Sequence, residues 1–136
     1  MKFITFRLKP GSDLKSGIET AVSKYSIRAG FIATCVGGLE QVTVRMAGAT
    51  PDSQDIRTIT GNFEIVSLVG TVSVNGIHLH LSFSDKEGAV RGGHLKAGAI
   101  VSPTAEIIIG IVEDATFTRE MDDETGFKEL VVKKRR

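Results

Sequence analysis

Apolar and polar residues alternate with a period of two over most of this chain, and follow a helical period in one segment. Leu14, Ile18, Ala21, Val22 and Tyr25 recur at helical spacing, which predicts an amphipathic helix over Asp13 to Tyr25. The turn Lys9-Pro10-Gly11-Ser12-Asp13 precedes it, and Ser12 or Asp13 can cap it by accepting from a free backbone N–H. Lys2 to Leu8 reads as a strand before that turn. Phe31 to Val36 is a short apolar strand that ends at Gly37-Gly38. Val42, Val44 and Met46 alternate with Gln41, Thr43 and Arg45, the mark of a half-buried strand. Gly48 to Asp55 is a polar loop containing Pro51. Ile56 to Thr60 and Phe63 to Val74 are rich in Val, Ile and Thr and read as two more strands.

Asn75-Gly76 predicts a two-residue hairpin turn, because both residues tolerate positive φ. That turn pairs Val74 with Ile77, Ser73 with His78, Val72 with Leu79 and Thr71 with His80. A second turn at Asp85-Lys86-Glu87-Gly88 sends Ala89 to Arg91 back along the same strand. Ala97 to Val101 and Glu106 to Val112 are further strands, the second apolar enough for both of its faces to be covered. Ala115 to Glu120 and Phe127 to Lys133 form a last hairpin around Met121 to Gly126. The expected architecture is one α+β domain over residues 1–136, mainly antiparallel, with the early helix packed on the sheet. The basic end at 133–136 is expected to fray.

Composition changes this picture in three places. Lys and Arg number 17 against 16 Asp and Glu, a net charge of +1. Such balance gives no electrostatic case for nucleic acid over the whole domain. A single cysteine excludes an internal disulfide and suits a reducing compartment. Cys35 lies in an apolar strand and is expected as a small buried hydrophobe. No apolar run approaches the ~20 residues of a membrane helix, and Met1 to Arg7 is too short and too charged for a signal peptide. A cytoplasmic location without a membrane partner is the expectation.

The chain's three histidines, His78, His80 and His94, fall within one short stretch. Side chains alternate along a strand, so His78, His80 and Ser82 share one face while Ile77, Leu79, Leu81 and Phe83 share the other. Two rises put His78 and His80 about 6.6 Å apart along the strand, close enough to converge on one ion with metal–nitrogen bonds near 2.0 Å. A tight turn at Lys86-Glu87 sets Gly93 opposite His80 and His94 one step further. A bulge at Gly92-Gly93 could re-aim His94 onto the histidine face. Three neutral imidazoles with an open fourth position describe a zinc centre of the catalytic kind. The plainer alternative is a set of surface or interface histidines making ordinary hydrogen bonds.

Other candidates carry less. Glu64 interrupts an apolar run and could serve as a general acid or base. Parity from the Asn75-Gly76 turn puts it on the face opposite the histidines, where a bulge or a neighbouring subunit would have to bring it round; a strand start or subunit contact is the simpler role. Arg91 could hold an anionic substrate or be a solvated hairpin charge. Lys133, Lys134, Arg135 and Arg136 could touch phosphates or form a soluble tail.

The stretch Ile77-His78-Leu79-His80-Leu81-Ser82-Phe83-Ser84-Asp85 resembles the plants and prokaryotes conserved (PPC) domain. Gly88 to Val90, Gly92-Gly93-His94-Leu95 and Ala105-Glu106-Ile107-Ile108 continue the likeness. Gly61 to Thr71 resembles the family's preceding strand, and Arg7 to Leu14 its opening strand and turn. The resemblance implies a barrel-like α+β fold that assembles as a homotrimer. Plant members carry the domain after AT-hooks and are DNA-associated; this chain has no AT-hook. The fold is also similar to that of α-acetolactate decarboxylase, whose zinc is held by an HxH pair and a later histidine. His78, His80 and His94 match that arrangement in kind, with a somewhat longer gap before His94.

Three functions therefore stand open. One is a trimeric protein binding zinc, or another divalent transition metal, beside a small-molecule site, with a lyase- or hydrolase-like step if it is an enzyme. Another is a DNA-associated regulator or scaffold. The last is an interaction module without chemistry.

Overall fold

The computed structural model describes residues 1–135. The elements are β1 (Lys2–Leu8), α1 (Leu14–Lys24), β2 (Ala29–Arg45), β3 (Ile56–Ser73), β4 (Gly76–Ser84), β5 (Val90–Leu95), β6 (Ile100–Ile111), β7 (Ala115–Met121) and β8 (Lys128–Lys134). Six strands form one antiparallel sheet in the order β1-β6-β2-β3-β4-β5. β5 pairs a second time, with β2, through Val44–Leu95 and Arg45–His94. β7 and β8 make a separate two-stranded antiparallel sheet.

Several strands are longer than the alternation predicts. β2 continues through Gly37-Gly38, with a shift in its pairing to β6 between Gly37 and Leu39, and β3 continues through Gly61-Asn62. A Cβ at Gly38 would press on the Ser102 carbonyl of β6, so this glycine admits a close neighbour instead of turning the chain. In β6, Ile107 and Ile109 are buried while Ile108 and Ile111 are half-buried, so within the single chain only one face of that strand is fully covered.

Of the two possible caps, Asp13 is the one used. Its Oδ2 accepts from the Ser16 N–H at 2.9 Å, and its Oδ1 accepts from the Gly98 N–H at 2.6 Å. One carboxylate thus satisfies a free helix donor and ties the helix start to the segment before β6. Leu14, Ile18 and Ala21 bury the helix's apolar stripe, whereas Tyr25 ends the helix and stays exposed. The core beneath is built from Val42, Val44, Leu79, Leu81, Phe83 and Ile107, none more than 2% exposed. Burying each such side chain contributes about 1.5–3 kcal/mol.

The first hairpin differs in register. Val74-Asn75 forms its tip, so Ser73 faces Gly76, Thr71 faces His78 and Val69 faces His80. The reason lies outside the hairpin. The Asn75 amide donates to the Arg119 carbonyl at 2.9 Å and accepts from the Arg119 N–H at 2.7 Å, while the Val74 N–H donates to the Phe117 carbonyl at 3.0 Å. β7 thereby captures the tip. Each partner moves by two residues, so every side chain keeps its face.

The basic end is also corrected. Lys133 and Lys134 do not fray; they close β8 opposite Thr116 and Ala115, where the ladder satisfies their backbone groups. The Arg135 N–H donates to the Asp114 carbonyl at 2.8 Å. Arg136 lies outside the described residues. Among those residues, no helix is long and apolar enough to cross a membrane.

Candidate metal centre

β4 builds the site by alternation. Leu79, Leu81 and Phe83 point into the core, so His78, His80 and Ser82 take the other face, His78 half-buried and His80 exposed. β5 then brings His94 directly opposite His80, with no register shift between the two strands. The sequence expectation of Gly93 in that place is one residue off, because the loop holds five residues, 85–89. Asp85 shapes it: its Oδ1 accepts from the N–H groups of Glu87 at 2.9 Å and Ala89 at 3.0 Å. No bulge is needed to aim His94. Gly92 and Gly93 instead let β5 fit between two strands. A Cβ on Gly92 would lie 2.5 Å from the Leu81 carbonyl of β4, and one on Gly93 2.7 Å from the Arg45 carbonyl of β2.

The three rings cluster tightly. Centroids are 5.0 Å apart for His78–His80 and His78–His94, and 5.8 Å for His80–His94. One nitrogen from each ring lies within 4.8 Å of the others. A tetrahedral ion with bonds near 2.0 Å would set ligand nitrogens about 3.3 Å apart. Three imidazoles with no carboxylate or thiol suit zinc, copper or nickel better than calcium or magnesium. The residues fit a divalent transition metal.

The surroundings of His94 and His78 favour the neutral imidazole, the form that offers a lone pair. Burial, then the Arg45 charge, pushes His94 down to about 4. Burial and the Arg119 charge also lower His78, against an opposing pull from Glu129. Arg45 Nη2 lies 3.4 Å from His94 Nδ1. Were an ion held on the His94 Nε2, the proton would sit on Nδ1 facing this guanidinium donor, and Arg45 would have to turn aside.

The depressed His94 predicts a pH dependence for metal-free protein. Unfolded histidine titrates near 6.5, so between about 6.5 and about 4 the unfolded chain binds more protons than the folded one. Stability is full above that window and falls as pH drops through it. Chelator-treated protein is expected to melt at lower temperature at pH 5 than at pH 7.5, with a smaller difference in His94→Asn. Equal melting at both pH values in the parent chain would refute the assignment.

Two hollows flank the rings. One of about 310 Å³ is lined by Arg45, Met46, Gly48, His80 and His94. The other, of about 360 Å³, is lined by Val69, Thr71, His78, His80, Arg119 and Glu129. Arg45, Arg119 and Glu129 carried no signal in the sequence. They stand on strands far along the chain, and only pairing brings them to the histidines.

The remaining candidates lie elsewhere. An irregularity between Ile65 and Ser67 sets Glu64 opposite Ser84, on the histidines' face. Ser84 is four residues from His80, about 13 Å along the strand. Glu64 there lines a different hollow, with Glu40, Asp85 and Lys86. Arg91 faces Phe83, on the side away from the histidines, with its guanidinium 5.7 Å from that ring. Lys133 pairs with Glu120 at 3.6 Å, both well exposed, and Arg135 donates to the Glu113 carbonyl at 3.4 Å. Cys35 is buried, and burial pushes its thiol up to about 12, the behaviour of an inert core residue.

Comparison with known proteins places this geometry in context. The Plants and Prokaryotes Conserved (PCC) domain matches residues 1–113. The Bifunctional protein GlmU of Synechococcus sp. (strain JA-2-3B'a(2-13)) is 37% identical over 130 residues, 96% of this chain and 20% of the relative. The chain spans about a fifth of the length of the curated relatives it matches. The solved structure of the hypothetical protein from Salmonella enterica has a TM-score of 0.92 at 37% identity, covering 99% of this chain and 95% of that one. The metal-containing protein from Archaeoglobus fulgidus has a TM-score of 0.84 at 24% identity, covering 96% and 94%. α-Acetolactate decarboxylase from Bacillus subtilis shares the fold at a TM-score of 0.56 and 18% identity, over 80% of this chain and 52% of its own.

Proposed function

This chain belongs to the Plants and Prokaryotes Conserved domain family, and from the site it carries we propose a metal-binding homotrimer with a small-molecule site beside the metal. His78, His80 and His94 are the proposed ligands, and zinc or a similar divalent ion is the proposed metal. The observation that carries this reading is the convergence of three ring nitrogens within 4.8 Å on one sheet face. The likeness to a metal-containing protein supports it at the level of the fold.

A bound ion would supply Lewis-acid chemistry to a carbonyl or carboxylate in a lyase- or hydrolase-like step. The chain's own residues do the rest. His78 and His94 are held toward the neutral form, which presents a lone pair. Leu79 and Leu81, buried beneath them, hold the strand in place. Val69 and Thr71 wall one side of the adjoining hollow. For assembly, Val36, Val66 and Val69 on β2 and β3 leave more than half of their surface exposed and offer apolar area for subunit contact.

The test is elemental analysis of untagged protein purified without chelator, alongside His78→Ala. About one zinc per chain, lost in the variant, is the expected result. Wild-type zinc in His78→Ala would sink the ligand assignment. No metal even after zinc is added back would return the histidines to ordinary hydrogen bonding and favour a DNA-associated or purely interactive role. Sedimentation of the same sample checks the assembly, and a monomer at micromolar concentration would remove the trimer.

A further inference from the structure

We infer that a hollow at the C-terminal end of α1 binds a phosphate monoester with a flat apolar body, of the nucleoside monophosphate class, with Arg28 as its principal anion receptor. The hollow encloses about 430 Å³, within the about 300–1,000 Å³ of small-molecule sites. It shares no lining residue with either hollow beside the histidines, so the inference stands apart from the metal centre.

Three neighbouring strands build its floor. Lys2 on β1 pairs with Ile111 on β6, and Ile111 pairs on its other edge with Gly30 on β2. Ile4 and Ile111 are half-buried and pack on the core below. The chain leaves α1 through Ser26, whose φ of +51 lies in the left-handed region, and Arg28 follows at the edge of the hollow. The Phe117 N–H donates to the Arg28 carbonyl at 2.9 Å and fixes the backbone there. Tyr25, the residue that closes the helix, stands at the same edge with 44% of its surface exposed and offers a ring for stacking.

Positive charge gathers around this floor. Lys2, Arg28 and Arg135 come from β1, the link between α1 and β2, and the residue after β8, and all three line the hollow. None of them forms an ion pair among the described residues. The one carboxylate in the lining, Glu113, is already paired with the Met1 amine at 3.3 Å. The Arg28 Nε donates to Thr116 Oγ1 at 3.3 Å, which orients the guanidinium and leaves its two Nη groups without a partner among the described residues. Lys24 lies in the last turn of the helix, its Nζ 5.3 Å from the Tyr25 ring, and offsets the partial negative charge of the helix end.

These features select the ligand. Three cations around one space suit a doubly charged group, and a phosphate monoester carries about −1.5 to −2 at pH 7. A guanidinium fork bonds two of its oxygens at once. Inorganic phosphate would leave Ile4, Ile111 and the Tyr25 ring uncovered, whereas a planar base lies on the apolar floor and stacks on the tyrosine. A nucleic-acid strand is the poorer fit, because a chain of net charge +1 gives a polyanion little to follow outside the hollow.

The test is isothermal titration calorimetry with adenosine monophosphate at low ionic strength. The parent is expected to bind it saturably, and Arg28→Ala about 10- to 100-fold more weakly. Tyr25→Ala should lose about 10-fold, and Lys2→Ala several-fold. Thr116→Val removes the hydroxyl that Arg28 meets but keeps the guanidinium, and should retain most of the affinity; a merely structural Arg28 would make this variant as weak as Arg28→Ala. Adenosine, lacking the phosphate, should bind the parent as weakly as the monophosphate binds Arg28→Ala, and His78→Ala should bind the monophosphate as the parent does. Absence of binding by the parent, parent-like binding by Arg28→Ala, equal affinity for adenosine or for inorganic phosphate, or loss of binding in His78→Ala would overturn the proposal. Displacement of the monophosphate by a single-stranded oligonucleotide at far lower concentration would overturn it in favour of nucleic acid.

Discussion

Gly70→Ala is expected to destabilise the protein by at least ~3 kcal/mol and to abolish metal binding with it. Gly70 sits in β3 at φ +147, opposite Leu79, between the pairs Val69–His80 and Thr71–His78. A Cβ there would collide with the His78 carbonyl oxygen. The obstacle is backbone in the middle of a ladder, so no side-chain rotation relieves it. The strands must separate at the two residues that carry the first two proposed ligands. Urea unfolding read beside metal content checks this. A loss below ~1 kcal/mol with full metal occupancy would show that the strands tolerate the extra carbon.

Metal removal should produce the other large effect. An ion that binds only the folded chain stabilises it by about 4 kcal/mol when its free concentration is a thousandfold above Kd. For a chain of 136 residues that corresponds to a rise in Tm on the order of 10 °C. Zinc should raise the melting temperature of the parent, chelator should reverse the rise, and His78→Ala should respond to neither. The experiment separates a folded-state metal site from adventitious surface binding, because exposed histidines acting singly give only a small shift. A parent chain whose Tm ignores both zinc and chelator would count against the centre.

The histidine face was legible because it depends on local pattern. Leu79, Leu81 and Phe83 must be buried, and the pleat then assigns His78 and His80 to the opposite side whatever strand lies alongside. The hairpin register could slip by one residue at its tip without changing that assignment. The position of His94 was less legible, since it depends on the residue count of the 85–89 loop and on how Asp85 folds it. Glu64 turns on a single irregularity between Ile65 and Ser67, which no alternation in β3 announces. The glycines misled for a related reason: Gly37-Gly38 and Gly92-Gly93 read as breaks or bulges. A glycine that permits a close neighbour looks, in sequence, like one that permits a turn.

Periodicity by itself determined the helix from its apolar stripe, the antiparallel hairpins from their turns, and the side chains that share a face with His78 and His80. These properties follow from backbone geometry repeated over a few residues. Tertiary structure alone decided that β5 closes back onto β2, setting Arg45 opposite His94. It alone decided that β7 captures the Asn75 tip and carries Arg119 to the histidines. Those contacts join residues 44 and 49 positions apart. They form because burial and ladder hydrogen bonds are optimised over the whole sheet, a balance that no short window of sequence contains.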